Sequence, residues 1–256
     1  MSMIGETSFY LPMPLCSAKK ALKAKINSKV IINDEQAAKI SSCILCNIIK
    51  KGKDITGREP YVLYQNENFI SIVDLGSMIE GYSLIICKNH INSMGELTEK
   101  EFDDFDDIQN YVRKVLKKIY NKDCICFEHG SGRNNQSEAA SSVKHAHFHM
   151  VAIDKFNDEL NKKIINDLEM FEIESQCDLK NYADEPYVYY ITGDGSKYMS
   201  TKKCIESQYL RKRIAEQFDK EWNWKNPETR KTFEENVLST EQKWKKVINE
   251  DLNNKF

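Results

Sequence analysis

Three of the chain's five histidines alternate within five residues, as His145, His147 and His149. In an extended strand successive side chains point to opposite faces, so this spacing presents three imidazoles side by side while Ala146, Phe148 and Met150 line the other face. Neutral imidazoles at that pitch suit metal coordination. They equally suit attack on phosphorus near neutral pH, with a second ring protonating the departing oxygen. The spacing alone leaves both chemistries open. Ser141, Ser142 and Lys144 stand just before the strand, where hydroxyls and backbone N–H groups could stabilise charge on phosphoryl oxygens.

A second set of residues is the pair in Cys43-Ile-Leu-Cys46, at a spacing common in zinc knuckles, which His90 and His145 could complete as a tetrahedral Cys2His2 group. The alternative is two ordinary buried thiols on an apolar segment. A four-ligand site of this kind would be structural, because it leaves no open position for substrate.

The elements that must position these residues are short and β-rich from Tyr61 onward. Tyr61-Val-Leu-Tyr64 and Phe69-Ile-Ser-Ile-Val73, separated by Gln65-Asn-Glu-Asn68, predict a hairpin, and Ser83-Leu-Ile-Ile-Cys87 predicts a third strand after Gly81. Residues 97–120 carry apolar side chains at helical spacing (Phe102, Phe105, Ile108, Val112, Val115, Leu116), and Thr98 followed by Glu101 forms a capping box. Strands are expected at Cys124-Ile-Cys-Phe127 and from His145 to Ile153, with a polar surface loop between them. Beyond lie an expected helix over 158–172, strands at Tyr187-Val-Tyr-Tyr190 and Lys197-Tyr-Met199, a helix over 206–218 and a mostly helical tail whose tryptophans pack as core or lid.

Ser142-Val-Lys-His-Ala-His-Phe-His-Met-Val151 resembles the signature of the histidine-triad family. That resemblance implies that His147 is the nucleophile that takes the nucleotidyl group, that His149 contacts the phosphate, and that Ser142 bonds the phosphate or leaving-group oxygen. It extends upstream through Phe69 to Asp74 and Gly81 to His90, and implies that Asp74 binds the ribose hydroxyls, a role suited to a carboxylate that accepts two hydrogen bonds from a vicinal diol. Ser141, Lys144 and Glu128 complete the substrate-binding residues it suggests. Some family members and the related hexose-phosphate uridylyltransferases have a similar metal arrangement, which implies Cys43, Cys46, His90 and His145 as zinc ligands. Tyr82 and Ser141 stand where the family often has His and Gln, and Glu128 about where many members have Asn. The uridylyltransferases carry Gln for the third histidine and favour transfer, so His149 argues for hydrolysis. Gln208 to Arg213 and Glu221 to Trp224 resemble a longer branch of the family with a C-terminal extension.

The expected architecture is therefore α+β: a histidine-triad-like fold with a small antiparallel sheet and helices over 41–155, an N-terminal arm over 1–40, and a mostly helical extension over 156–256 packing on the core. With 37 Lys plus Arg against 39 Asp plus Glu there is no broad basic field for nucleic acid or membrane, and no apolar run approaches the roughly 20 residues of a membrane span. Eight unevenly spaced cysteines and the lack of a signal-like N-terminus predict a reducing, cytoplasmic setting. The expected function is hydrolysis of a nucleoside phosphoramidate or dinucleoside polyphosphate to a nucleoside monophosphate, with structural zinc, no organic cofactor and a possible homodimer. The alternatives are a nucleotidyltransferase and a weakly catalytic nucleotide-binding or scaffolding protein.

Overall fold

A run of β-branched and aromatic residues broken by Asn66 and Asn68 makes the first hairpin, β1 (Val62–Gln65) and β2 (Phe69–Val73), where the Phe69 N–H donates to Asn66 Oδ1 at 2.9 Å. The computed structural model describes residues 43–52, 59–133, 143–153, 158–220, 222–223 and 226–253. The expected arm over 1–40 and both serines, Ser141 and Ser142, lie outside the described residues. β3 (Tyr82–Cys87) follows Gly81, whose φ of +78° and lack of a side chain are both needed, since a Cβ there would lie 2.8 Å from that of Ala152. A short helix, α1 (Ile44–Lys51), precedes the hairpin and ends at Gly52 in the left-handed conformation.

Helix α2 (Glu99–Tyr120) starts at Thr98 with the expected capping box, in which Thr98 and Glu101 each satisfy the other's backbone N–H. It packs Phe102, Phe105, Ile108, Val112 and Leu116 against one face of the sheet. After it come β4 (Asp123–Gly130) and β5 (His147–Ile153). The strand begins at His147 rather than His145, where the backbone N–H turns back to the Val143 carbonyl at 3.0 Å.

The later part of the chain does more than pack on this sheet. Helix α3 (Asp158–Asp167) is shorter than expected: Glu169, at φ +52°, reverses the chain, and Phe171–Glu172 forms β6 instead of a last helical turn. β7 (Tyr187–Ile191) and β8 (Lys197–Ser200) follow, then α4 (Tyr209–Glu216) and α5 (Pro227–Asn253). β7 pairs with the otherwise free edge of β4, giving one antiparallel sheet of eight strands in the order β1-β2-β3-β5-β4-β7-β8-β6.

The histidine strand β5 is thus central, hydrogen-bonded by β3 on one side and β4 on the other. Ala146, Phe148, Met150 and Ala152 join the α2 core together with Val237, Trp244 and Val247 of α5. On the opposite face two apolar groups form. Ile70, Ile72, Leu84 and Ile86 pack with α1, whereas Tyr82, Ile125, Phe127 and Val151 pack with α3, α4 and Phe233. Among the described residues no helix is long and apolar enough to cross a membrane.

Trp244, fully buried between α5 and the α2 core, anchors the last helix. Trp244→Ala should lower the unfolding free energy by about 3–5 kcal/mol in urea denaturation, the cost of a large core truncation. Leu238→Ala, at an exposed position of the same helix, should change it by under about 0.5 kcal/mol.

Candidate functional site

The alternation of β5 decides which side chains meet. His147 lies opposite Ile86 of β3, and His149 lies between Leu84 of β3 and Phe127 of β4. Both rings therefore emerge on the face where the two apolar groups adjoin. The rings are 5.0 Å apart, centroid to centroid, and edge-on. Phe127 stacks on His149 at 4.4 Å with planes only 16° apart, which fixes the tilt of that ring.

Hydrogen bonds fix which nitrogen of each ring carries the proton. His147 Nδ1 lies 2.6 Å from the carbonyl oxygen of His145. A carbonyl only accepts, so Nδ1 donates and the lone pair is on Nε2. His149 Nδ1 faces the Tyr82 hydroxyl at 3.0 Å and Arg211 Nη2 at 3.4 Å. Arginine only donates, so this Nδ1 accepts and the proton sits on Nε2. The result is a bare Nε2 on His147 beside an Nε2–H on His149. Burial pulls His147 down to about 4 and His149 well below the usual imidazole range, with the Arg211 charge adding to the effect on His149, so both rings are neutral near pH 7.

Arg211 itself comes from α4. Its Nη2 donates to Asp74 Oδ2 at 2.8 Å, and its guanidinium lies over the rings of Tyr82, at 5.3 Å, and Trp222, at 4.9 Å. Gly76 makes room for it, since a Cβ there would sit 2.8 Å from Arg211 Nη1 and 3.2 Å from Trp222. Helix α5 holds the loop that carries Asp74: Asn236 donates to the Ser77 carbonyl, Thr240 Oγ1 accepts from the Gly81 N–H, and Lys243 pairs with Glu80. The sequence marked Gln208 to Arg213 only as resembling a family extension and gave Arg211 no role, because nothing in the local pattern ties it to Asp74. The one local hint was Gly76, a small residue beside Asp74.

His145 is drawn into a different group. Its Nε2 donates to the Cys87 carbonyl at 2.7 Å, leaving Nδ1 to face Cys46 Sγ at 3.4 Å, Cys43 Sγ at 3.5 Å and His90 Nδ1 at 3.2 Å. Cys46 Sγ is 3.1 Å from His90 Nδ1, and all four ligand atoms lie within 4.8 Å of one another. Tetrahedral zinc with Zn–N near 2.0 Å and Zn–S near 2.3 Å would set its ligands roughly 3.3–3.8 Å apart, so two thiols and two imidazole Nδ1 atoms at these distances could hold a metal ion. The Cys87 carbonyl fixes the His145 tautomer that coordination requires. Hydrogen bonding from Cys46, and then from His145 and His90, pulls the Cys43 thiol far down, while Cys46 keeps its proton.

Of the expected substrate residues, Asp74 lies in the same cluster as His149, joined to it through Arg211. Lys144 is exposed, three residues before β5 begins. Glu128 is the exception. Phe127 shares the face of His149, so its neighbour points the other way, into the α2 side, where Glu128 is buried and accepts from the Met94 N–H at 2.8 Å and the Tyr187 hydroxyl at 2.6 Å. The geometry removes it from the histidine face. Arg133 pairs with Glu96 and Asp184.

A family model described as "Scavenger mRNA decapping enzyme C-term binding" matches residues 42–165. The chain is 28% identical over 112 residues to a bis(5′-adenosyl)-triphosphatase of Dictyostelium discoideum, covering 44% of this chain and 72% of that one. It is 32% identical over 111 residues to an adenosine 5′-monophosphoramidase of Schizosaccharomyces pombe, covering 43% of this chain and 73% of that one. A solved structure of a hypothetical histidine triad nucleotide-binding protein from Sulfolobus tokodaii aligns at 16% identity with a TM-score of 0.38, over 80% of this chain and 93% of that one.

Burial raises the Glu128 carboxyl to about 8. A carboxyl held above its unfolded pKa costs stability progressively as pH rises between the unfolded value, near 4.3, and the folded one. Glu128→Gln removes the titrating group, its amide oxygen accepting from the Met94 N–H and its amide N–H donating to the Tyr187 hydroxyl. It should be more stable than the parent by a few kcal/mol at pH 8, with the gap closing as pH falls toward about 4. Thermal melts of both proteins across that range measure it.

Proposed function

The chain belongs to the histidine-triad superfamily, and from that premise we propose that it is a nucleotide hydrolase that cleaves a phosphoanhydride or phosphoramidate bond through a nucleotidylated His147. The observation that carries the reading is the pair of opposite Nδ1 partners, the His145 carbonyl on His147 and the Arg211 guanidinium on His149, which imply a bare Nε2 on the first ring and an Nε2–H on the second. His147 Nε2 attacks the α-phosphorus of a bound nucleotide and forms a P–N bond. The bond to the leaving group breaks, and that group leaves with the electron pair and takes its proton from solvent. Water then attacks the same phosphorus, the P–N bond breaks, and a nucleoside monophosphate is released with His147 restored.

His149 Nε2–H donates to a phosphoryl oxygen as charge builds there. The His145 carbonyl holds the His147 ring and stabilises the positive charge the ring acquires when nucleotidylated. Asp74 meets the ribose hydroxyls through Oδ1, its Oδ2 being engaged by Arg211. Ser142, Ser141 and Lys144 supply the remaining contacts to the phosphate and leaving group. The two relatives are named for a bis(5′-adenosyl) triphosphate and an adenosine 5′-monophosphoramidate, and these define the substrate class to be tried first.

The metal we assign to Cys43, Cys46, His90 and His145 is zinc, since the soft thiolate and imidazole set suits it. It would tie α1 to the turn that presents the histidine strand, and with four protein ligands it takes no part in the reaction.

His147→Ala should lower hydrolysis of dinucleoside polyphosphate and of nucleoside phosphoramidate by at least about 10³-fold, with an unchanged circular dichroism spectrum. The parent, quenched in turnover, should carry a nucleotidyl mass on the His147 peptide. Parent-like turnover by the variant on both substrates would defeat the assignment. Elemental analysis should find about one zinc per chain, and Cys43→Ser with Cys46→Ser should lose it. A metal content unchanged in that double variant would place the metal elsewhere.

A further inference from the structure

The α4 guanidinium is the group at the histidine face that neither the family match nor the proposed chemistry accounts for. It lies outside the matched residues 42–165, yet its side chain is only 13% exposed and its Nη2 touches two members of the site at once. Four features hold it in place: the Asp74 carboxylate, the faces of Tyr82 and Trp222, and the gap left by Gly76. A buried charge restrained on so many sides points in one direction.

That direction matters for His149. The Tyr82 hydroxyl can donate or accept, so by itself it permits the His149 proton on either nitrogen. Arg211 has donors only. An Nδ1–H on His149 would face an N–H of the guanidinium at 3.4 Å, and so would an imidazolium. We propose that Arg211 is a positioning residue for the histidine face: anchored by Asp74, it holds His149 as the neutral Nε2–H tautomer, so that the C-terminal extension completes the site. The inference rests on the proposed role of His149 as phosphate-side donor, and it makes that donor conditional on a helix some sixty residues further along the chain.

Among the described residues the charged and titratable groups facing His149 are Tyr82 of β3, His129 of β4, His147 of β5 and Arg211 of α4, with Asp74 behind the arginine. Of these, Arg211 alone combines a fixed positive charge with contact to Nδ1. Its removal should therefore let the single proton of the neutral ring move to Nδ1, with the Tyr82 hydroxyl accepting, while burial still disfavours the imidazolium.

The test is side-chain 15N NMR of His149, which needs no substrate. In the parent, Nδ1 should read as unprotonated and Nε2 as protonated, without change from pH 8 to pH 5. In Arg211→Met, the neutral ring should populate the Nδ1–H tautomer, donating to the Tyr82 hydroxyl, and Arg211→Lys, which keeps the charge and loses the planar fork, should fall between. Because Arg211→Met strands the Asp74 carboxylate, the double variant Asp74→Asn with Arg211→Met, which carries no unpaired charge, should show the same shift of the His149 proton toward Nδ1. In turnover assays Arg211→Met should lose about 100-fold in kcat with KM within about threefold, and the acid limb of its pH profile should move to higher pH. A proton on His149 Nδ1 in the parent, or the same His149 tautomer in parent and both Met variants, would overturn the inference. Failure of the parent to hydrolyse any nucleotide would instead overturn the proposed function, and the NMR result would stand apart from it.

Discussion

A strand hydrogen-bonded along both edges cannot slide, and β5 is such a strand. Its register with β3 and β4 puts Ala146, Phe148, Met150 and Ala152 into the α2 core and leaves His147 and His149 on the other face. A slip of one residue would exchange the two sets, burying imidazoles among phenylalanines and exposing the apolar row. The core thus enforces the orientation of the chemistry. What α2 and α5 gain by covering one side is what keeps the histidines presented on the other.

Once the rings are placed, single hydrogen bonds decide what each can do. Three alternating histidines look equivalent in a strand, yet each meets a different partner. His145 gives its Nε2–H to the Cys87 carbonyl and turns Nδ1 toward Cys43, Cys46 and His90. His147 gives its Nδ1–H to the His145 carbonyl and keeps Nε2 bare. His149 accepts at Nδ1 and keeps Nε2–H. One motif yields a metal-type ligand, a nucleophile-type nitrogen and a donor, because neutral imidazole has one proton and its neighbours choose where it goes.

The extension is bound into this arrangement at two levels. β7 closes the edge of β4, so the sheet continues without a break into residues beyond the family match. α4 and α5 then reach the loop after β2 from the other direction, through Arg211 with Asp74, Asn236 with Ser77 and Thr240 with Gly81. The loop carrying Asp74 is held by side chains from the far end of the chain.

Much of the frame was legible in the sequence. The alternation of β5, the hairpin before it, the Thr98 capping box and the close pair Cys43 and Cys46 are local features, and local periodicity follows from backbone geometry that every residue carries. The shorter α3 escaped because a residue at positive φ, Glu169, leaves no mark in apolar spacing. Glu128 was set among the substrate residues by its place in the motif, while the pleat of β4 turns it to the opposite face. The pairing of Asp74 with Arg211 joins residues 137 positions apart, and the approach of Cys46 to His145 joins residues 99 apart. The sequence by itself determined which side chains share a face. Only the tertiary structure decided which of them touch, because those contacts depend on how separate elements stack, and that depends on the shape of the whole core.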